Sequence, residues 1–417
     1  MTAIAAPGRV VANMFAKGTS FVVEKGAQMV LVAIAARELG AAGFGRFSFA
    51  SNLAVLFAFG SDLGLTTWTT RALARTPESS VPVLGTGLRL RLAASGVVML
   101  ALGGVALTID DRTLAAAVLA LGAGALMRGL CDHARAVFRA HERLGDESKL
   151  NIAVGVLGMG GGIAGLLAGA GSIAALALGI MAGTFAGALY GFLLLGRNYG
   201  PWAGPADATL ARRMLREAAP FWLAGAFTLL YARADVLLLK ARSSDAEVGA
   251  YRAAGQIVEA AKQLPVLLMT ATFPQLARAF QESRQALARV ERAIAGLLVA
   301  SGLVVAGAIA AAADPLVSLL VGPQFARAVP ALRTLALALP LQYVNCGVLH
   351  FFVARDRGGL NLTFAAAMVA VSAAGNLALD RRFGSMGASI ATVATEAALL
   401  ACCLYALRTL RREEARS

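Results

Sequence analysis

The stretch from residue 37 to residue 75 reads RELGAAGFGRFSFASNLAVLFAFGSDLGLTTWTTRALAR, and parts of it return half a chain later. The match has an offset of 204 positions (249 minus 45), and it equates Gly45, Phe47 and Ala50 with Gly249, Tyr251 and Ala254. A second echo relates residues 73–75 to residues 276–278. Since the offset is close to half of the 417 residues, the chain is predicted to repeat one architecture twice, as many membrane transporters do.

The composition around this stretch is that of a membrane protein. Hydrophobic residues make up 58% of the chain and charged residues 15%, and the mean hydropathy of +0.69 lies well outside the range of soluble domains. A helix needs about 20 mainly apolar residues to cross a hydrocarbon core of about 30 Å. We therefore predict an all-α, polytopic membrane protein with about twelve transmembrane helices, at roughly 13–36, 47–70, 87–108, 113–138, 149–169, 172–196, 217–239, 250–276, 290–312, 329–353, 359–379 and 385–407.

The longest polar connection, residues 198–216, separates six predicted spans from six others. We predict two six-helix lobes related by a pseudo-two-fold repeat, an N-lobe at 1–197 and a C-lobe at 217–417, joined by this linker. Lys and Arg near helix ends are retained in the cytoplasm, and most of them fall in the linker and in the loops on its side. The linker and both termini are therefore predicted to be cytoplasmic, in a multi-pass protein of the cell inner membrane.

Several kinds of chemistry are excluded by what the sequence lacks. None of the five lysines follows a glycine, so the chain encodes no phosphate-binding Walker A loop. The three histidines are scattered and the four cysteines form no CxxC pair, so we expect no metal site, no disulfide framework and no cofactor. The net charge is +14, and the basic residues lie in the loops between the spans and form no single patch. This arrangement suits contact with anionic lipid headgroups and argues against binding of nucleic acid. No motif of covalent catalysis occurs, and we do not expect an enzyme.

Charged side chains inside the predicted spans are the candidate functional residues, because each costs on the order of 3 kcal/mol at the bilayer centre. Such residues must face the bundle interior, a water-filled cavity or one another. The cations in this set are Lys25, Arg128, Arg233, Lys262 and Arg333. The carboxylates that are candidates for ion or proton coupling are Glu24, Asp132, Glu259 and Glu396. Helical spacing also permits simple pairing of Arg128 with Asp132 and of Glu259 with Lys262, and this structural alternative stays open.

Three of the cations come from the opening helices of the two halves. Repeat transporters draw their binding site from such helices near the bilayer midplane, and Lys25, Arg233 and Lys262 occupy them here. Cations at this depth suit an anionic cargo, and the planar fork of arginine suits phosphate. The sequence therefore predicts a cationic cavity between the repeats.

A set of short motifs, in order along the chain, resembles the polysaccharide flippases of the multidrug/oligosaccharidyl-lipid/polysaccharide exporter (MOP) superfamily. The motifs are Leu39-Gly40, Gly43-Phe44-Gly45, Asp62-Leu63-Gly64-Leu65 with Arg71, YARADVLL at 231–238, VGAYRAA at 248–254, Phe273-Pro274 and GSMGASIATVATE at 384–396. The resemblance implies two lobes that alternately open a central cavity, and a cargo of undecaprenyl-diphosphate-linked oligosaccharide moved from the inner to the outer leaflet. It also implies membrane lipids and the polysaccharide polymerase machinery as partners, and we expect a monomer.

Carried over to this chain, the resemblance makes Lys25, Arg128, Arg233 and Lys262 candidates for holding the diphosphate or an acidic sugar. It makes Asp62, Arg71 and Asp235 candidates for gate or structural roles, with Asp62 and Arg71 as a pair near the inner gate.

Two other functions compete with this interpretation. A cation-coupled multidrug exporter of the same superfamily would use Asp62, Asp132 or Glu396, but cationic drugs favour an acidic cavity and the residues found here are mainly basic. A membrane enzyme acting on the same lipid-linked substrates usually carries a large outer loop, and the longest outer segment, around 313–328, is short.

Overall fold

A computed structural model describes residues 7–75, 80–141, 143–199, 207–355, 357 and 359–416, and these residues contain helices and no strand. The helices are α1 Pro7–Phe59, α2 Leu65–Arg75, α3 Ser80–Leu107, α4 Arg112–Ala140, α5 Leu144–Ala168, α6 Ile173–Tyr199, α7 Ala208–Arg242, α8 Asp245–Ala261, α9 Gln263–Glu282, α10 Arg284–Ala311, α11 Ala313–Leu320, α12 Ala328–Ala336, α13 Ala338–Ala354, α14 Gly359–Phe383 and α15 Ser385–Arg416. A short 3-10 helix occupies Pro323–Phe325.

The described helices confirm an all-α membrane protein. Nine of them are long and apolar enough to cross a membrane, or ten when the bent pair α12 and α13 is counted as one span. The prediction of about twelve spans is consistent with this, because α1 bends at Gly40 (φ 67°) into arms that cover the first predicted span and, together with α2, the second. Helices α8 and α9 together cover the eighth.

Three predicted spans are broken where the sequence predicted continuous helix. The second breaks at residues 60–64, where Leu63 and Gly64 adopt positive φ and the Asp62 carboxylate accepts from the Gly64 amide at 3.1 Å. The tenth breaks at Leu337, and Pro340 in the first turn of α13 has no N–H to continue the ladder.

The eighth predicted span breaks at Lys262, and the cause is Pro265. Proline has no N–H to donate to the carbonyl four residues earlier, so the Ala261 carbonyl lacks its helical partner. The Tyr343 hydroxyl donates to this carbonyl at 2.7 Å instead. A side chain from α13 therefore supplies the hydrogen bond that the Ala261 carbonyl lacks at the break. Lys262 lies at this break, between the end of α8 and the start of α9.

The chain divides into two compact units. The N-unit holds the described residues up to 39 and from 49 to 226, and the C-unit holds residues 40–48 and the described residues from 227 onward. In the N-unit, α5 and α6 approach so closely that a Cβ at Gly161 would lie 2.2 Å from the carbonyl oxygen of Gly179.

Residues 40–48 belong to the C-unit because this part of α1 crosses α8 there. A Cβ at Gly45 would lie 1.9 Å from the Asp245 carbonyl oxygen, and one at Gly249 would lie 2.0 Å from the Ala41 carbonyl oxygen. The two glycines that the sequence repeat equates thus lie against each other, and only glycine permits this approach.

Candidate functional site

Four of the predicted site residues line one cavity in the C-unit. The cavity has a volume of about 100 Å³, and we call it the C-unit pocket. Its charged lining residues are Asp235, Arg252, Glu259, Lys262 and Glu396, and its uncharged polar ones are Tyr231, Tyr251, Gln342, Ser372, Thr392 and Thr395. Helices α7, α8, α13, α14 and α15 all contribute to it, so packing within the C-unit sets its shape.

Glu396 on α15 is buried, with 7% of its surface exposed, and it is held by three donors. The Tyr231 hydroxyl donates to it at 2.7 Å, Gln342 Nε2 at 3.1 Å and Asn345 Nδ2 at 2.8 Å. These side chains come from α7 and α13, so the carboxylate ties three helices together. Charge-assisted hydrogen bonds of this kind are the strong ones, and Glu396 has a structural role in addition to its predicted coupling role.

Two cations reach the C-unit pocket from α8 and its end. The Lys262 ammonium lies 3.7 Å from the Glu259 carboxylate, and both side chains are more than a third exposed. Arg252, which is 9% exposed, lies within range of the charges of Arg233, Asp235 and Glu259. Its Nε has no hydrogen-bond partner among the described residues.

Arg252 was missed as a pocket residue from the sequence. It falls near the outer end of the predicted eighth span, where an arginine is expected to reach solvent. The structure instead places it on the buried face of α8 beside Tyr251. The available signal was the repeat, because it equates Tyr251 with Phe47, which lies within the second predicted span.

A polar stripe runs along α14 and was also missed. Ser372, Asn376 and Asp380 are four residues apart, and together with Met368 they form the buried face of this helix. The predicted span at 359–379 ends one residue before Asp380, so only the first two residues of the stripe lie within it. Three polar residues at i, i+4 and i+8 share one helical face, and this spacing was the signal.

The polar stripe holds acceptor atoms without donors. Asn376 Nδ2 donates to the Ser372 carbonyl at 2.8 Å, but Asn376 Oδ1 and both Asp380 carboxylate oxygens are buried without a hydrogen bond from any described residue. Asp235 on α7 lies close enough to Asp380 for their charges to interact, and it accepts from the Tyr251 hydroxyl. The carboxylates of Asp235 and Asp380 therefore lie within range of each other, and the charge of Arg242 is also within range of Asp380.

In the N-unit, α5 packs against two charged residues of neighbouring helices. Arg128 on α4 lies within range of the Glu24 charge. A Cβ at Gly158 would lie 3.3 Å from an Arg128 Nη2 atom, and one at Gly155 would lie 3.4 Å from Glu24 Cγ. The glycine face of α5 thus leaves space for both half-buried side chains.

Asp132 forms its salt bridge with Arg135, so the pairing of Asp132 with Arg128 that the spacing permitted is not the bridge that forms. Arg135 Nε also donates to Asn151 Oδ1 at 2.6 Å, which links α4 to α5.

Lys25 and Arg333 lie apart from these clusters. Lys25 is exposed in the N-unit, with its Nζ 3.4 Å from Gln28 Oε1. The Arg333 guanidinium lies 2.6 Å from the Asp314 carboxylate, and both side chains are more than half exposed. The structure therefore brings Arg128 together with Glu24, and Lys262 with Glu259, Asp235 and Glu396, whereas Arg333 is outside the C-unit pocket.

The predicted pair of Asp62 and Arg71 requires a correction. Asp62 forms its salt bridge with buried Arg91 of α3, which also donates to the Gly129 carbonyl of α4. The Arg71 guanidinium instead lies over the Phe221 ring, 4.5 Å from its centroid. In the turn at residues 60–64, the Asp62 carboxylate accepts from the Gly64 amide just before α2 begins. The same carboxylate faces Arg91 of α3.

Apolar helices in two units, with charged groups buried inside each unit, define a polytopic membrane protein. The fold is similar to that of an inward-facing multidrug resistance transporter of the MATE family of the MOP superfamily, with a TM-score of 0.75, 14% identity, and coverage of 94% of this chain and 95% of that chain. It is also similar to the lipid II flippase MurJ in an inward closed conformation, with a TM-score of 0.62, 12% identity and coverage of 95% and 87%.

A third solved structure is a MOP superfamily transporter from Pyrococcus furiosus, for which a binding pocket of reversed polarity suggests a different function. The TM-score is 0.60, the identity 15%, and the coverage 96% of this chain and 94% of that chain. Residues 10–280 match the family described as polysaccharide biosynthesis protein, and the chain belongs to this family. A search of curated proteins finds no match.

Proposed function

We propose that this protein is a flippase that moves undecaprenyl-diphosphate-linked oligosaccharide from the cytoplasmic to the outer leaflet by alternating access. Arg252 carries the proposal, because it is a nearly buried arginine at a cavity that also holds Lys262. A guanidinium in such a place binds a diphosphate through charge-assisted hydrogen bonds. Membership in a family of polysaccharide biosynthesis supports a lipid-linked sugar as the cargo.

In this proposal the candidate cargo-binding cations are Arg252, Lys262 and Arg233 of the C-unit and Arg128 and Lys25 of the N-unit. Arg333 is a peripheral contact at most. Both termini and the linker lie in the cytoplasm, the membrane is the cell inner membrane, and the flippase acts as a monomer beside the polysaccharide polymerase machinery.

We infer that the energy for transport comes from a proton or a small cation that binds the polar stripe. A buried carboxylate without hydrogen-bond donors is costly unless a proton or a cation compensates it. Asp380 meets this description, whereas Asp132, Glu259 and Glu396 each have a side-chain partner. Glu24 remains a second coupling candidate through its interaction with Arg128.

A transport assay tests the proposed cargo. Purified protein in proteoliposomes should move a fluorescent lipid-linked oligosaccharide between leaflets, and Arg252→Gln should slow this at least about tenfold while Arg252→Lys retains part of the rate. Arg381→Gln is the matched control, because Arg381 is an exposed arginine of the same unit. Absence of lipid-linked sugar transport by the folded wild-type protein would refute the proposal.

A multidrug exporter is the second candidate, and the acidic groups of the C-unit pocket favour it. Asp235, Glu259 and Glu396 line the pocket together, and the fold resembles a multidrug resistance transporter. Efflux of a cationic dye by proteoliposomes that do not flip the glycolipid would establish this function instead.

A further inference from the structure

An apolar groove lies in the N-unit and is separate from all the charged clusters described above. It has a volume of about 450 Å³. Helix α3 lines it with Leu88 and Leu92, α4 with Met127 and Leu130, and α6 with Leu189 and Phe192. Helices α3 and α6 each pack on α4, so the groove is the gap above α4 between its two neighbours.

The groove lies in one half of the membrane. The start of α3 at Ser80 and the ends of α4 at Ala140 and α6 at Tyr199 are on the same side, because short connections join α3 to α4, α4 to α5 and α5 to α6. With a rise of 1.5 Å per residue, the lining residues lie roughly 10 to 20 Å from these helix ends. In the proposed orientation this is the cytoplasmic leaflet, where the cargo starts.

One exposed arginine adjoins the lining residues in sequence, whereas Arg91 is bridged to Asp62 and Arg128 lies within range of the Glu24 charge. Arg89 is exposed, and it lies between the lining residues Leu88 and Leu92 on α3. Within the described part of the chain it makes no hydrogen bond or ion pair. Leu92 and Leu189, on the two rims, are 50% and 62% exposed. An exposed cation next to an apolar groove suits a ligand in which a hydrocarbon chain is attached to a phosphate group.

We propose that this groove holds the polyprenyl tail of the lipid-linked cargo while the cargo is in the cytoplasmic leaflet, with Arg89 at the tail-bearing phosphate. The proposal rests on the proposed flippase function. A bilayer phospholipid fits less well, because two acyl chains leave its headgroup and the groove offers one channel.

The affinity of the groove for a tail comes from shape. Lipid tails are as apolar as leucine, so no hydrophobic transfer drives a tail from the bilayer into the groove. Van der Waals contact with a methyl-branched chain and the charge of Arg89 supply the binding instead. The effect of the groove should therefore appear as selectivity for tail length.

The test measures binding of two probes to the full-length protein in nanodiscs. Both probes carry the same diphosphate-linked sugar, and one has a full-length polyprenyl tail while the other is truncated to two isoprene units. Leu189→Trp and Leu92→Trp fill the groove, and each should weaken binding of the long-tailed probe about tenfold and leave the truncated probe unchanged. Arg89→Gln should weaken binding of both probes equally.

Leu178→Trp is the matched control, because Leu178 lies on the same face of α6 three turns away and is 49% exposed. It should change neither affinity. Equal losses for both probes in the groove-filling variants, no loss in either, or displacement of the long-tailed probe by excess phosphatidylglycerol would overturn the groove proposal. A wild-type protein that binds neither probe would instead refute the flippase function on which it rests.

Discussion

The N-unit and the C-unit both bury charged side chains, but they satisfy them differently. In the N-unit, Asp132 is bridged by Arg135 and Asp62 by Arg91. In the C-unit, Asp380 is buried with neither carboxylate oxygen hydrogen-bonded to a described residue, next to a pocket that holds Arg252 and Lys262. The comparison indicates that Asp62 and Asp132 of the N-unit support the scaffold, whereas we expect Asp380 of the C-unit to be available for a cation.

The largest effect is expected at an ion pair of the C-unit in which a buried carboxylate is bridged by arginines, as in the N-unit. Glu291 and Arg355 form a salt bridge in which their side chains are 1% and 3% exposed, and Arg411 adds a second bridge to Glu291 at 2.7 Å. Glu291→Gln leaves Arg355 buried without its charge partner, which should destabilise the protein by about 3–5 kcal/mol. Thermal unfolding in detergent measures this loss.

The N-unit supplies the control for this variant. Glu147 is 4% exposed, but its partner Arg139 is 37% exposed and can reach solvent. Glu147→Gln should therefore cost only about 1 kcal/mol. Equal losses in the two variants would contradict the idea that burial of the partner sets the effect.

Asp380→Asn should have the next largest effect, and it acts on transport. Removing the charge removes the site for the coupling cation, so gradient-driven transport should fall about a hundredfold, equivalent to about 2.7 kcal/mol. Proteoliposomes with an imposed proton or sodium gradient measure the rate. Asp110→Asn, at an exposed position of the N-unit, should keep it. Gradient dependence that survives in Asp380→Asn would show that the coupling site lies elsewhere, with Glu24 as the next candidate.

Gly249→Ala should have an intermediate effect on stability. Its Cβ would lie 2.0 Å from the Ala41 carbonyl oxygen, so α1 and α8 must separate, at a cost of about 1–3 kcal/mol. Gly296→Ala is the control, since nothing lies within 4 Å of a Cβ there, and alanine should be about 0.5–1 kcal/mol more stable in that helix interior. A shift of unfolding temperature in the same direction for both would contradict the close crossing.

The smallest effect is expected at Arg333. Comparing this exposed residue with Lys262 tests whether cargo binding depends on the C-unit pocket or on the protein surface. Arg333→Gln removes an exposed pair with Asp314, so stability should change by under about 1 kcal/mol and the KM for glycolipid should change less than about twofold. Lys262→Gln, which removes a pocket cation, should raise the KM at least about fivefold. The reverse order of the two KM values would move the cargo site towards α12.

Much of this fold could be predicted from the sequence, because apolar runs about 20 residues long have few other uses. The breaks within spans were less accessible, since a hydropathy window does not register the lost N–H of Pro265 or the hydroxyl of Tyr343 that replaces it. The charged residues could be identified because a charge within a membrane span has a high free-energy cost. Their partners could not be identified, because partner choice depends on which helix faces meet.

Asp62 illustrates this limit, since its partner is Arg91 on another helix and not Arg71 on the nearest one. Arg252 and Asp380 illustrate a second limit, because both lie near the predicted ends of spans and neither is among the predicted site residues. Their burial comes from packing between helices, of α8 on α12 and α15 and of α14 on α15, and hydropathy does not specify which helices pack together. The stripe of Ser372, Asn376 and Asp380 was visible in principle at a spacing of four.

The contact between Gly45 and Gly249 has an evolutionary consequence. After a duplication, two copies of a segment can usually diverge, since a change in one leaves the other intact. Here the two glycines that the predicted repeat equates lie against each other's backbone, so a larger side chain at either position damages the same helix crossing. A single contact therefore constrains both Gly45 and Gly249. We expect these two positions to be among the last at which the two halves of the sequence diverge.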